Sequence, residues 1–233
     1  MKAVIMAGGL GTRLRPLTFS IPKPLLPIRE KPILEIIIRK LHTFGIREII
    51  LAVGYGAELI KTYFQDGTKF DVKIDYISES KQLGTAGPLK LINDYFQSGE
   101  LFLVMNGDIL TKLNFREMID FHLKYEGEMT IAIKKYEYQL PYGVVDTQNN
   151  LVKGVNEKPT FSFDISTGIY ILNYSAIDYI PDNTYFTMPN LARILIENGK
   201  RVLSYHFDEY WLAIEQIDHF QEAEANLAEW VDY

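Results

Sequence analysis

Glycines and basic side chains near the amino terminus form the most chemically informative cluster in the sequence. A short apolar strand, Lys2–Ala7, leads directly into Gly8-Gly9-Leu10-Gly11-Thr12-Arg13, and Lys23 follows between two prolines. Glycine tolerates positive φ angles and lets backbone N–H groups approach a ligand. Successive inward N–H groups form an anion-binding nest. With the charges of Arg13 and Lys23 beside that nest, the cluster predicts a polyphosphate site at which chemistry takes place.

Two common glycine-rich phosphate loops do not fit this pattern. A P-loop requires Gly-Lys followed by Ser or Thr, whereas Gly11 is followed by Thr12 and Arg13. A dinucleotide fingerprint requires a third glycine at position 14, which is Leu14, and a helix that Pro22 and Pro24 would interrupt. A glycine-rich turn without a ligand remains the alternative.

An acidic residue at the end of a later strand predicts a metal site. The apolar strand 101–105 ends in Asn106-Gly107-Asp108, so Asp108 is expected at the carboxyl end of a buried strand. Doubly wound sheets bind ligands at that end. Mg²⁺ is held by one or two carboxylates together with substrate phosphates. The alternative is an aspartate that shapes a turn or caps the helix near Asn114.

The segment around residue 85 has the composition of a base-binding loop. It reads Gln82-Leu83-Gly84-Thr85-Ala86-Gly87, and Gln82 and Thr85 can both donate and accept hydrogen bonds toward a base edge. Gly84 and Gly87 permit close approach of the backbone to a flat ring. The alternative is a helix start with Thr85 as its N-cap.

Strands and helices alternate through the first half, which indicates a parallel sheet covered by helices on both faces. The predicted strands are 46–53, 72–77 and 101–105, and the predicted helices are 32–44, 57–64 and 86–96. From about Met129 short strands follow at 129–134, 143–146, 151–155 and 168–172, and helices return at 188–198 and 217–230. The fold class predicted is α/β, a Rossmann-like doubly wound mixed sheet in three layers.

Composition excludes several classes of function. The chain of 233 residues is 47% hydrophobic and 23% charged, which suits one globular domain spanning residues 1–233. Its net charge of −6 argues against a nucleic-acid partner, and the absence of cysteine excludes disulfides and thiolate metal sites. No apolar run is long enough for a membrane partner. A cytoplasmic location is expected, and a homo-oligomer is left open.

The ordered motifs resemble the sugar-1-phosphate nucleotidyltransferases, the NDP-sugar pyrophosphorylases. The resemblance rests on Ala7–Arg13, Pro22-Lys23-Pro24-Leu25 and Asn106-Gly107-Asp108, and it extends along nearly the whole chain. It implies that Ala7, the glycine loop and Arg13 wrap a nucleoside triphosphate, that Lys23 reaches the reacting phosphates and that Asp108 binds the metal. It also implies a nucleotide-binding half over about 1–125 and a sugar-binding half over about 126–233. Hexapeptide repeats of the β-helix found in many relatives are absent.

The resemblance also locates one departure from the family pattern. Relatives usually carry a second metal-binding aspartate in a Trp-Leu-Asp-Ile-Gly-like segment, and here the segment reads Trp211-Leu212-Ala213-Ile214-Glu215. Ala213 therefore occupies the expected aspartate position and cannot ligate a metal. Three alternatives follow for the metal site. Glu215 or Asp208 supplies the second carboxylate, or Asp108 and the substrate phosphates hold the metal alone, or the activity is weakened.

Three further family blocks imply the sugar-phosphate contacts. The blocks are Pro141–Val145, Asn156–Pro159 and Ser166–Tyr170. The resemblance implies that the Gly143 backbone contacts the sugar, that Glu157 binds sugar hydroxyls and that Lys158 binds the sugar phosphate. It also implies sugar contacts by Thr167 and Gly168. Without the resemblance, Glu157 and Lys158 would be read as an exposed ion pair of little energetic value.

The expected function is transfer of a nucleotidyl group from an NTP to a hexose- or heptose-1-phosphate, with Mg²⁺ as cofactor. Such a product would be a nucleotide-sugar precursor of cell-surface polysaccharide. The Leu83–Gly87 run looks like that of mannose-1-phosphate guanylyltransferases, which favours GTP over UTP, CTP or dTTP. The alternative is a regulatory paralogue that binds nucleotide sugars but turns over poorly, because Ala213 replaces the second aspartate.

Overall fold

A computed structural model describes residues 1–79 and 81–226. The strands are β1 (Lys2–Ala7), β2 (Pro27–Ile28), β3 (Lys31–Pro32), β4 (Glu48–Val53), β5 (Lys73–Ser78), β6 (Leu101–Asn106), β7 (Ile109–Thr111), β8 (Met129–Gln139), β9 (Val144–Gln148), β10 (Leu151–Asn156), β11 (Thr160–Asn173), β12 (Val202–His206) and β13 (Trp211–Ala213). The α-helices are α1 (Ile33–Thr43), α2 (Ala57–Phe64), α3 (Phe115–Lys124), α4 (Met188–Glu197) and α5 (Ile217–Ala225).

A seven-stranded mixed sheet forms the centre of the molecule. Its strand order is β12-β8-β11-β6-β1-β4-β5, and β11 is the strand that runs antiparallel to its neighbours. Apolar residues of α1, α2, α3 and α5 cover one face, and α4 with several 3₁₀ turns covers the other. This confirms the predicted three-layer α/β fold. The parallel strands β1, β4, β5 and β6 deliver their carboxyl ends to one edge, where such sheets bind ligands.

The second half of the chain adds an arm to this edge. β8 and β11 pair beyond the sheet, from Lys134 opposite Ile165 out to Gln139 opposite Thr160, and the hairpin of β9 and β10 extends the arm. Side chains along this arm are mostly exposed. Because β8 and β11 are longer than the strands predicted at 129–134 and 168–172, the arm itself was not predicted.

The predicted helix over 86–96 is wrong. Two 3₁₀ helices, Gly87–Leu91 and Asn93–Tyr95, occupy this segment. Thr85 is not a helix cap, because its hydroxyl oxygen accepts from the backbone N–H of Met188 at 2.9 Å. Leu89, Ile92 and Tyr95 have the spacing of an α-helix, but a contact with a distant segment holds this part of the chain in 3₁₀ turns instead.

Other boundaries lie close to the prediction. α2 matches the predicted 57–64, and α1 ends at Thr43, just before Gly45 takes a φ of +77°. α5 is described to Ala225, and the predicted continuation of this helix to Trp230 falls outside the described residues. Within the described chain, no helix combines the length and apolar character needed to cross a bilayer.

Candidate active site

An open cleft of about 330 Å³ lies at the carboxyl edge of the sheet. The predicted residues that line it are Ala7, Gly8, Gly9, Gly11, Lys23, Gln82, Gly84, Thr85, Asn106, Gly107 and Asp108. The structure thus brings the glycine loop, the lysine, the aspartate and the base-binding loop together, although they are separated by up to a hundred residues of sequence. Arg13 is not among the lining residues, and its side chain instead forms an ion pair with Glu215.

The glycine loop presents unpaired backbone donors. Among the described residues, none accepts a hydrogen bond from the N–H groups of positions 9–13. Gly11 takes a φ of +60°, and the Thr18 hydroxyl donates to its carbonyl oxygen at 2.8 Å. Gly8 and Gly9 do not have positive φ angles, so the prediction of left-handed backbone holds for Gly11 alone. Unpaired N–H groups at the end of a parallel strand suit an anionic ligand.

Lys23 and Asp108 form an ion pair inside the cleft. Lys23 starts a 3₁₀ helix after Pro22, while Asp108 follows the end of β6. The exposed fractions of the two side chains are 14% and 24%, so both charges are largely shielded from water. Each group is then available to an incoming partner of opposite charge: the ammonium to a phosphate and the carboxylate to a divalent cation.

Arg13 pairs with Glu215 across 202 positions of sequence. Both side chains are at least half exposed, so the pair contributes little to stability. The contact places Glu215 beside the glycine loop. In the described contacts, the Glu215 carboxylate binds Arg13 and does not contact Asp108, so they do not make it the second metal ligand.

Position 213 lies directly beside Asp108, as the family pattern requires. β13 pairs with β7 so that Ala213 faces Ile109, and the Ile214 N–H donates to the Asp108 carbonyl oxygen at 2.9 Å. Asp208 is exposed, and its described contact is a backbone one with Lys134. The described residues contain no group of three or more acidic, histidine or cysteine side chains suited to a metal. Of the three candidate metal ligands, Asp108, Asp208 and Glu215, the described contacts place only Asp108 beside position 213.

Two glycines near Asp108 serve strand packing. A β-carbon on Gly107 would lie 2.8 Å from the Met6 carbonyl oxygen, and one on Gly168 would lie 2.6 Å from the Asn106 side chain. Gly168 has a φ of +76° at a bulge of β11. These close approaches set the position of the Asn106-Gly107-Asp108 segment against β1 and β11.

The predicted base-binding loop is held by a segment from the second half of the chain. The N–H groups of Ala86 and Gly87 both donate to the Phe186 carbonyl oxygen, at 2.9 and 3.0 Å, and the Phe186 N–H donates to Leu83 at 2.8 Å. A β-carbon on Gly84 would lie 2.6 Å from that same Phe186 oxygen. The glycines at 84 and 87 thus allow this backbone contact, which the sequence did not reveal.

We expect Gly84→Ala to destabilise the protein more than Gly99→Ala. The two glycines have φ angles of +80° and +87°, so each alanine carries a similar conformational cost of about 1 kcal/mol. At Gly99 nothing lies within 4 Å of the new β-carbon, whereas at Gly84 it meets Phe186. The extra loss at Gly84 should be about 1–3 kcal/mol in free energy of unfolding, measured with urea. Equal losses would contradict the contact.

Among the residues lining the cleft that sequence reasoning missed, two have polar side chains, Glu79 and Tyr185. Glu79 directly follows β5, and its place after an apolar strand was a usable signal. Burial raises the pKa of its carboxyl group above the usual range, while a hydrogen bond from the Leu83 N–H at 2.7 Å opposes that shift. Tyr185 belongs to the segment held against Gly84 and is largely exposed; no local pattern indicates it.

The predicted sugar-phosphate residues lie on or near the arm. Glu157 and Lys158 are exposed, and a β-carbon on Gly143 would lie 2.9 Å from the Glu157 carboxylate. Thr167 is buried; its hydroxyl donates to the Ala132 carbonyl at 2.8 Å, and its own carbonyl accepts from Trp211. The described cleft lining does not include these residues, so their sugar contacts stay predictions.

Comparison with known proteins identifies the family. The nucleotidyl transferase family model matches residues 2–229. The chain belongs to the nucleotidyl transferase family. The probable mannose-1-phosphate guanylyltransferase 1 of Oryza sativa subsp. japonica is 38% identical over 224 residues, covering 93% of this chain and 62% of the relative. The UTP–glucose-1-phosphate uridylyltransferase of Synechocystis is 35% identical over 243 residues, covering 96% and 62%.

Solved structures of other proteins show the same nucleotidyl transferase fold. HddC from Yersinia pseudotuberculosis complexed with GMP-PN aligns with a TM-score of 0.75 and 27% identity, covering 97% of this chain and 99% of that one. A putative glucose-1-phosphate thymidylyltransferase from Bacillus anthracis, in complex with a sucrose, aligns with a TM-score of 0.81 and 23% identity over 100% and 97%. The chain spans only 62% of the length of the two curated relatives above.

Proposed function

We propose that this protein is a sugar-1-phosphate nucleotidyltransferase that uses GTP and a hexose- or heptose-1-phosphate. The observation that carries the proposal is the Lys23–Asp108 pair beside the unpaired N–H groups of positions 9–13. Together they offer donors for a polyphosphate, a cation for the reacting phosphate and a carboxylate for a divalent metal. Family membership and similarity to guanylyltransferases support the same reaction class.

In the proposed reaction, a phosphate oxygen of the sugar-1-phosphate attacks the α-phosphorus of GTP. A new P–O bond forms, the bond between the α-phosphorus and its bridging oxygen breaks, and pyrophosphate leaves. Lys23 neutralises charge at the reacting phosphorus, while Arg13 and the amides of the glycine loop stabilise the departing pyrophosphate. No general base is needed, because a phosphate monoester is already anionic at neutral pH.

Mg²⁺ is the cofactor proposed. Asp108 would hold it, and the bound ion would neutralise charge on the nucleotide phosphates. A single protein carboxylate is compatible with Mg²⁺, which often takes the rest of its ligands from substrate phosphates and water. The partially shielded carboxylate at the end of β6 fits this role, although its neighbour at 213 is an alanine.

Base and sugar choice are proposed from similarity. Guanine is favoured because the rice relative is a probable guanylyltransferase and HddC was solved with GMP-PN. Gln82, Gly84 and Thr85 would contact the base, and Gly143, Glu157 and Lys158 the sugar phosphate. The product would serve nucleotide-sugar biosynthesis for cell-surface polysaccharide. A cytoplasmic location and a homo-oligomeric state remain predictions.

A pyrophosphate-release assay tests this function. The purified protein is supplied with Mg²⁺, each of GTP, UTP, CTP, ATP and dTTP, and a panel of hexose- and heptose-1-phosphates. We expect release that requires both substrates and is fastest with GTP. No release with any pair, while GDP-sugars still raise the melting temperature, would instead establish a binding protein without turnover.

That binding protein is the second candidate function. Its specific support is Ala213, which stands beside Asp108 where a second carboxylate is expected. A regulatory paralogue would keep the nucleotide cleft and the sugar-phosphate residues while losing metal affinity. The two candidates therefore differ in turnover and share ligand binding.

We expect Ala213→Asp to raise the affinity for Mg²⁺ by about tenfold or more, because a second carboxylate would stand next to Asp108. The measurement is the Mg²⁺ concentration that gives half-maximal turnover, or half-maximal thermal stabilisation with GDP-sugar. The matched control is Ala225→Asp, which adds the same charge to an exposed position of α5. An unchanged Mg²⁺ titration would show that another group already completes the site.

A further inference from the structure

Glu79 is an acidic side chain in a cleft that otherwise suits a polyanion. It stands at the end of β5 and lines the cleft with Gln82, Gly84 and Thr85. One carboxylate oxygen accepts the Leu83 N–H at 2.7 Å. Among the described residues, no lysine, arginine or histidine pairs with this carboxylate, unlike Asp108 and Glu215. A half-buried carboxylate without a cation requires hydrogen-bond donors to replace the water that it loses.

The second carboxylate oxygen of Glu79 faces the glycine loop. A β-carbon on Gly8 would lie 2.6 Å from this oxygen, and one on Gly54 would lie 3.4 Å from it. A side chain at position 8 would therefore displace the carboxylate from this place. The carboxylate thus lies between Gly8 at the start of the glycine loop and Leu83 in the predicted base-binding loop, and both segments line the cleft.

We propose that Glu79 reads the base of the nucleotide and selects guanine. A carboxylate accepts hydrogen bonds and, when ionised, cannot donate them. Guanine presents two adjacent donors on its Watson–Crick edge, N1–H and the N2 amino group. Adenine and cytosine present one amino group beside an acceptor nitrogen, and uracil and thymine present one N–H between two carbonyl oxygens. Only guanine therefore offers this carboxylate two donors and no opposing acceptor.

This inference rests on the proposed function for the presence of a nucleotide, and it deepens that function by assigning the base. The competing role for Glu79 is purely structural, since it holds the loop through the Leu83 N–H. Glu79→Gln separates the two roles. Glutamine keeps a carbonyl oxygen to accept from Leu83, but its amide adds donors and removes the charge that faces the base.

The test compares the binding of GDP and IDP, measured by calorimetry without turnover. IDP lacks only the N2 amino group of guanine. We expect the unmodified protein to bind GDP about 10- to 100-fold more tightly than IDP, the usual effect of one hydrogen bond to a charged group. In Glu79→Gln the ratio should fall to within about threefold, with UDP binding improved relative to GDP.

Two controls keep the result interpretable. Glu126→Gln removes a similar charge from an exposed residue that pairs with Arg201, and it should retain the GDP to IDP ratio of the unmodified protein. The melting temperature of Glu79→Gln should match that of the unmodified protein, because the Leu83 contact is kept. If Glu79→Gln folds poorly, Glu79→Asp provides the second variant: it keeps the charge but shortens the side chain, and it should also reduce the GDP to IDP ratio.

The outcomes separate this inference from the proposed function. Equal affinity for GDP and IDP in the unmodified protein overturns the assignment of Glu79 while leaving nucleotide binding intact. Retention of the full ratio in Glu79→Gln also overturns it, because another group would then read the N2 amino group. Failure of every nucleotide to bind overturns both the proposed function and the role of Glu79.

Discussion

Asp108→Asn should reduce turnover by about 10³-fold or more while leaving the protein folded. The asparagine keeps the size and the hydrogen-bonding oxygen of the side chain, but it removes the one carboxylate that the described contacts place at this point of the cleft. In the family pattern a second aspartate would share this task, and here that position is Ala213. Loss of one group that stabilises transition-state charge commonly lowers turnover by about 10²- to 10⁵-fold. The measurement is pyrophosphate release at saturating GTP and Mg²⁺.

The matched control is Asp94→Asn, which removes a charge from an exposed 3₁₀ turn that does not line the cleft and should leave turnover unchanged. Binding of GDP without metal provides a second readout for Asp108→Asn. This binding should be equal or tighter, because a negative charge near the phosphates is gone. Turnover within about tenfold of the unmodified protein would show that Asp108 does not hold the metal.

Lys23→Met should lower turnover by about 10²- to 10⁴-fold and weaken GTP binding much less. Methionine preserves most of the apolar stem, so the variant isolates the ammonium that pairs with Asp108. If Lys23 acts on charge that develops at the α-phosphorus, its loss lowers kcat more than it raises KM. The measurement is a steady-state comparison of both parameters with GTP and the preferred sugar-1-phosphate.

Lys61→Met serves as the control, since Lys61 pairs with Glu58 on the exposed side of α2. The combined variant Lys23→Met with Asp108→Asn should lose less than the product of the two single losses, because the two groups act on the same phosphates. A large rise in KM with normal kcat would instead assign Lys23 to ground-state binding.

The sequence was most informative where local chemistry is strong. The apolar strands β1, β4 and β6 and the helix α2 have clear patterns, and the glycine loop, Lys23 and Asp108 have types and spacings that few other sites use. The structure brings these residues into one cleft, as the topology of a parallel sheet requires. The position of Ala213 beside Asp108 was also implied, through the resemblance.

What the sequence did not predict depends on contacts between distant segments. The segment 86–96 has helical spacing, yet Phe186 binds Ala86 and Gly87 and holds this segment in 3₁₀ turns. The three-residue ladder of β7 and β13 is too short to show a periodicity. Glu79 follows an apolar strand, which was a usable signal, whereas Tyr185 lines the cleft through the convergence of distant segments and no local pattern indicates it.

The β11 strand and the Phe186 contact have a consequence for chimeric proteins. β11 pairs with β6 inside the central sheet, and Phe186, just before α4, holds the base-binding loop. The carboxy-terminal half thus supplies both a neighbour for β6, the strand that Asp108 follows, and support for one wall of the cleft. Exchanging that half between relatives to change sugar preference would also transplant the support of the base-binding loop. We therefore expect a chimera with a crossover near residue 125 to change nucleotide preference as well as sugar preference.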